Sequence, residues 1–129
     1  MKEHIEVHDT YWSSMRGVKV TKTVEADIVS DHFAIVKERA GYRIYHIPSG
    51  FALKEYGEGY YRYKETAKRL VRLAEEIDPR HVNWDSKSPI TDRNRNGLVL
   101  RKLVKIMRLA EGLTPDEFDV AVLHLPRGL

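Results

Sequence analysis

Catalysis needs suitable side chains at suitable spacing, and the histidines and acids of this chain are spread thinly. Six histidines occur: His4, His8, His32, His46, His81 and His124. His4 and His8 are spaced for one face of a strand or helix, and Asp9 follows them. These three are the nearest approach to a metal-binding group, but no further ligand converges on them. Asp92-x-Asn94-x-Asn96-Gly97 imitates the start of a calcium loop. Its twelfth position is Leu103 instead of glutamate, and Arg93 and Arg95 oppose a cation, so a helix N-cap explains it better. Asp78 with Asp85-x-Lys87 supplies the two carboxylates and lysine of a metal-dependent nuclease. Such acids belong on neighbouring strands, whereas these flank a loop after a helix. Ser49 near His46 reads as a turn serine without an acidic orienter. No catalytic residue, metal site or other cofactor is assigned from these patterns, and binding is favoured over catalysis.

The cations are more informative. From Arg93 to Arg108 the chain carries Arg93, Arg95, Arg101, Lys102, Lys105 and Arg108, with no acidic residue among them. Arg101, Lys105 and Arg108 stand at i, i+4 and i+7, which is one narrow stripe of a helix. The other positions are apolar over more than half the wheel, as in a helix buried or covered on several sides. Part of this charge has a local explanation. Lys105 and Arg108 sit where cations favour the helix C-terminus, and Arg108 is spaced to pair with Glu111. The helix before it is different: Glu65 is placed to meet Lys68 and Arg69, and Arg72 to meet Glu75 and Glu76. That face reads as solvated surface.

Tyr56-Gly57-Glu58-Gly59-Tyr60-Tyr61-Arg62-Tyr63 holds four of the seven tyrosines. Tyrosine gives contact area at low entropic cost, and arginine beside aromatics suits stacking on unpaired bases. The alternative is that the rings cover a sheet edge with their hydroxyls in water. Gly57-x-Gly59 lacks the third glycine and the parallel context of a dinucleotide fingerprint. Over about residues 32–77, this segment with Lys64 and Ala67-Lys68 resembles the end of a double-stranded RNA-binding domain. The resemblance implies phosphate contacts by Lys64 and Lys68. The glycine-to-lysine spacing is roughly two residues longer than in that family, and no amphipathic helix precedes the sheet. Leu103 to Val122, with Gly112-Leu113-Thr114 at its centre, resembles the first two helices of a repressor-type helix-turn-helix. The few residues that follow include Pro126 and Gly128 and cannot form a recognition helix. Neither resemblance assigns a family.

The elements that must position these residues follow from length and periodicity. A chain of 129 residues and 15.0 kDa, 42% hydrophobic and 32% charged, is expected to form a single domain over 1–129 with one sizeable core. The absence of cysteine excludes disulfides and thiolate metal sites. With no apolar run of membrane-spanning length and no signal-peptide core, a cytoplasmic protein without membrane contact is expected. Net charge is +3 with a pI of about 9.1, so placement matters more than the total.

Residues 1–16 are hard to read, although Ile5 and Val7 permit a short edge strand. Alternation of Val18, Val20 and Val24 with polar residues, the apolar run Ile28 to Lys37, and Tyr42 to Ile47 predict strands. A fourth strand is expected from Phe51 to about Glu55, after the turn Pro48-Ser49-Gly50. Period then changes to that of helices at about 63–77 and 96–110. A short helix at about 115–124 is capped by Thr114 with Glu117. The expected fold is α+β, an antiparallel three- to four-stranded meander over about 17–55 followed by these helices. The expected function is binding of an anionic partner, nucleic acid or an acidic protein surface, through Arg101, Lys105, Arg108, Tyr60, Tyr61 and Arg62. The alternatives are a regulator or inhibitor of phage or mobile-element type that binds only protein, and a metal-dependent nuclease using Asp78, Asp85 and Lys87.

Overall fold

The computed structural model describes residues 2–9, 20–53, 59–90, 94 and 97–124. An antiparallel sheet is formed by β1 (Lys2–Asp9), β2 (Val20–Ile28), β3 (Phe33–Glu38) and β4 (Gly41–His46), joined in the order β1-β2-β3-β4. Three helices follow: α1 (Lys64–Glu75), α2 (Leu98–Ala110) and α3 (Pro115–Leu123). This is the expected α+β meander followed by helices, with three of the expected strands present and an N-terminal strand in place of the one expected at 51–55. The N-terminal segment forms an eight-residue strand that pairs with β2 along its whole length. Its exposed Lys2, Glu3, His4 and Glu6 disguised it, since only Ile5 and Val7 point into apolar surroundings. The strand expected at 51–55 is reduced to a single bridge between Ala52 and Tyr45, and 54–58 lie outside the described residues.

Alternation along the strands gives the sheet two apolar faces. Phe33, Ile35 and Ile44 face the helices, while Ala34, Val36 and Tyr45 face the other way. That second face is covered by the β1–β2 hairpin itself. β2 pairs with β3 only through Asp27–Ile35 and Ile28–Ala34, after which the hairpin leaves the sheet plane. It curls until Val7 and Ala26 pack against Ala34, Val36 and Tyr45. The curl is held where His8 N donates to Gly50 O at 2.8 Å and the His8 ring meets Phe51 at 5.0 Å. Gly50 has φ of +75°, and a Cβ there would stand 2.9 Å from the His8 ring, so the closure requires glycine.

On the inner face α1 buries Ala67, Leu70, Val71 and Ala74, the i, i+3, i+4, i+7 row of an amphipathic helix. α2 adds Leu100, Leu103, Ile106, Met107 and Ala110 to the same core. α3 starts with the expected capping box, Thr114 accepting from Glu117 N and Glu117 Oε1 accepting from Thr114 N. It buries only Phe118 and is tied to α1 by Arg69, which lies 2.6 Å from Asp119. Among the described residues no helix is long and apolar enough to cross a membrane.

Candidate anion-binding surface

The buried residues of α2 occupy one arc of the helix, and Arg101, Lys105 and Arg108 emerge on the opposite side, all three exposed. At 1.5 Å per residue the stripe is about 10 Å long. None of the three forms an ion pair among the described residues. The cations of α1 behave otherwise: Arg69 meets Glu65 at 3.5 Å as well as Asp119, and Arg72 lies 3.9 Å from Glu65. The expected Glu65–Arg69 pair forms, whereas Arg72 takes a different partner from those expected. Arg72 turns back to Glu65, Arg69 reaches across to α3, and Glu75 is engaged by His32. Leu98, 67% exposed, and Leu109, 55% exposed, lie beside the α2 stripe. Arg93 and Arg95 lie outside the described residues.

Glu111, just past the end of α2, does not serve Arg108. Its carboxylate accepts from Gly59 N at 2.7 Å and Tyr60 N at 3.2 Å, and its carbonyl accepts from Arg62 N at 2.9 Å. Residues 59–62 are thereby brought against the C-terminal end of α2. What they present there differs from the expected binding surface. Tyr61 is 1% exposed, and its backbone exchanges hydrogen bonds of 2.7 and 2.9 Å with Tyr42. Its ring belongs to the core, and burial pushes its hydroxyl pKa up. Tyr61 is therefore removed from the expected binding residues. The bridge it forms requires glycine at the start of β4: Gly41 has φ of +144°, and a Cβ would lie 2.7 Å from Tyr61 O. Tyr60 is half-buried, donating its hydroxyl to Glu38 Oε2 at 3.0 Å beneath the Arg43 guanidinium, 4.5 Å from the ring centre. Only Arg62 of this trio is exposed, its guanidinium 5.5 Å from the Tyr63 ring. The rings cover the sheet edge, and the solvent-facing site shrinks to Arg101, Lys105, Arg108 and Arg62.

The residues considered for chemistry disperse. Asp78 pairs with Arg80 at 2.7 Å, which holds its carboxyl down at about 2, while Asp85 turns to His32. The two acids of the nuclease pattern are thus drawn into separate pairs. No group of three histidine or acidic side chains is placed to hold a metal ion among the described residues. His8 is engaged with Thr21 at 3.0 Å, and His4 is exposed on β1. Asn94 donates to His81 O and Pro89 O, so it braces the 81–89 segment.

Two histidines prove to be the most connected: His46, read beside its turn serine, and His32, which no motif singles out. His46 is 3% exposed and its Nε2 lies 2.7 Å from Trp84 O, which fixes the proton on that nitrogen. Nδ1 is left to accept from the Ser49 hydroxyl at 2.8 Å. Burial lowers the pKa of this ring, keeping it neutral. The pair borders a cavity of about 340 Å³ lined also by Phe51, Leu53, Trp84 and Ile90. Ser49 Oγ meanwhile accepts from Phe51 N at 3.2 Å, so the hydroxyl organises its own turn. His32 bridges Glu75 and Asp85, which are 43 and 53 residues away. Separations of that size leave no local pattern to read. No family model, no curated protein and no solved structure matches this chain.

Proposed function

We propose that this chain is a small non-enzymatic binding protein that docks an anionic macromolecule, foremost the phosphate backbone of a nucleic acid, on the outward face of α2. The observation that carries this reading is the exposure of Arg101, Lys105 and Arg108 on one helical stripe, without an ion pair among the described residues. Three like charges so close together repel one another, and a polyanion removes that cost while releasing its own counterions. Arg62 extends the surface past the helix end. A cytoplasmic setting belongs to the same proposal and rests on the cysteine-free composition.

Fluorescence anisotropy with a labelled duplex and a labelled single strand, at salt concentrations from about 50 to about 200 mM, tests it directly. The expected result is a log-log salt slope of about −2 to −3, matching two or three neutralised phosphates. Charge reversal at Arg101 and Lys105 makes the slope shallower by about one for each phosphate no longer neutralised. Binding that is absent, or unaffected by both salt and charge reversal, overturns the nucleic-acid reading.

A second reading is favoured by Leu98 and Leu109 on the same face. Phosphate backbone offers nothing to a leucine, whereas an acidic protein surface with an apolar centre accommodates both leucines and cations. The chain would then be a regulator or inhibitor of another protein. A pull-down that retains one stoichiometric protein partner after nuclease treatment selects this reading over the first.

A further inference from the structure

His32 stands in the turn between β2 and β3 with a carboxylate at each ring nitrogen. Nδ1 lies 2.6 Å from Glu75 Oε1 at the end of α1, and Nε2 lies 2.5 Å from Asp85 Oδ1 in the loop beyond it. A neutral imidazole has one N–H donor and one lone pair, while an ionised carboxylate can only accept. Both contacts therefore exist together only when the ring is an imidazolium. Closure of the contact and protonation of the ring are one event.

From this geometry we propose that His32 is a proton-operated clamp, holding the 78–90 segment against the sheet and α1 and releasing its Asp85 arm when the imidazolium loses a proton. Asp85 is the arm that yields because its side chain is 83% exposed, whereas those of His32 and Glu75 are both mostly enclosed. The ionisable groups facing the ring are Glu75 from α1, Asp85 from the loop and His46 from β4, with Asp31 beside it in the turn. His46 does not compete for the proton, since its Nε2–H is committed to Trp84 O. Burial of His32 opposes its charge, and the hydrogen bonds to Asp85 and Glu75 outweigh that, raising its pKa above 6.5. A raised folded-state pKa means that the clamp contributes fully below pH 6.5 and is lost as pH rises through the folded value.

The clamped segment has consequences beyond itself. It carries Trp84, whose ring packs edge-on against Phe33 at 4.9 Å and whose Nε1–H donates to Ala74 O. It also supplies one wall of the 340 Å³ cavity through Trp84, Lys87, Ser88, Pro89 and Ile90. Its carbonyls at His81 and Pro89 also accept from the Asn94 side chain. Deprotonation of His32 thus loosens the cavity wall, leaving Trp84 as the main anchor of the segment.

NMR titration of the His32 ring in the full chain, with hydrogen exchange at the amides of His81, Val82, Asp85 and Ser86, tests the clamp. The expected ring midpoint lies above 6.5. Protection factors at those amides, corrected for the intrinsic pH dependence, fall about three- to ten-fold as pH rises through that midpoint, as befits the opening of one partly exposed charge-assisted hydrogen bond. In Asp85→Asn the midpoint moves down and the step in protection disappears while near-ultraviolet circular dichroism is unchanged. His32→Asn removes the step as well. A midpoint at or below 6.5, or a step of undiminished size in Asp85→Asn, overturns the proposal, and the Asp85 variant decides the matter even where His32→Asn fails to fold.

Discussion

Trp84 shows how much one side chain can hold when its surroundings are assembled from distant parts of the chain. Its ring lies between Phe33 and His46, with centroids 4.9 and 5.6 Å away, and its indole N–H closes on Ala74 O at the end of α1. Its carbonyl also fixes the tautomer of His46. Trp84→Ala is expected to cost about 3–5 kcal/mol, measured by urea denaturation, because it leaves a cavity and strands the hydrogen-bonding groups around it. Trp84→Phe keeps most of the apolar contact and should destabilise much less. The tyrosines repeat the lesson at Tyr60, Tyr61 and Tyr63. Adjacent residues of one type divide into a half-buried ring bonded to Glu38, a core ring and an exposed ring under Arg62. Residue type could not sort them, because burial was decided by Tyr42 and Glu111, which lie far from this segment in the sequence.

The helices follow their sequence closely because their determinants are local. α1 and α2 run within about two residues of the periodicity that predicts them, and α3 begins at the capping box written into Thr114-Pro115-Asp116-Glu117. Thr114→Ala should therefore destabilise the chain by about 1 kcal/mol, seen as a lowered denaturation midpoint with an unchanged slope. α3 has little else to anchor it: Phe118 and the Arg69 ion pairs hold it to α1, and Leu123 stays exposed. Strands are less legible. β1 pairs with β2 over eight positions, yet only Ile5 and Val7 mark it, since an edge strand with one solvated face needs few apolar residues. The segment after Gly50 shows the converse: Phe51, Ala52 and Leu53 read as a strand but pair only once, because their apolar side chains are drawn to the cavity wall and the His8 ring.

At the scale of the molecule, the sheet separates two cores. The inner core unites sheet and helices, whereas the outer one is the hairpin folded back on β3 and β4. Val7→Ala should cost about 1.5–3 kcal/mol, the burial of two methyl groups with incomplete collapse of the space they leave. Hydrogen exchange should place that destabilisation mainly in β1 and β2, with the amides of α1 less affected. The α2 stripe lies opposite the residues that α2 contributes to the inner core, so charge reversal at Arg101 should weaken polyanion binding without disturbing either core. Reversal at Arg108, in the last turn, should also cost about 0.3–1 kcal/mol of helix stability.

By itself the sequence determined whatever depends on neighbours a few positions away: the α+β order, the helices and the capping box of α3, the Pro48-Ser49-Gly50 turn, and the spacing of Arg101, Lys105 and Arg108. Periodicity and capping act over one to three turns, so they are written in consecutive residues. Tertiary structure alone decided which of the tyrosines are core, that Glu111 holds the tyrosine segment instead of pairing with Arg108, and that His32 joins Glu75 to Asp85. It also decided that the stripe on α2 faces outward. These outcomes turn on which surfaces meet after the chain has folded, and contacts between residues so far apart in the chain leave no period from which to read them.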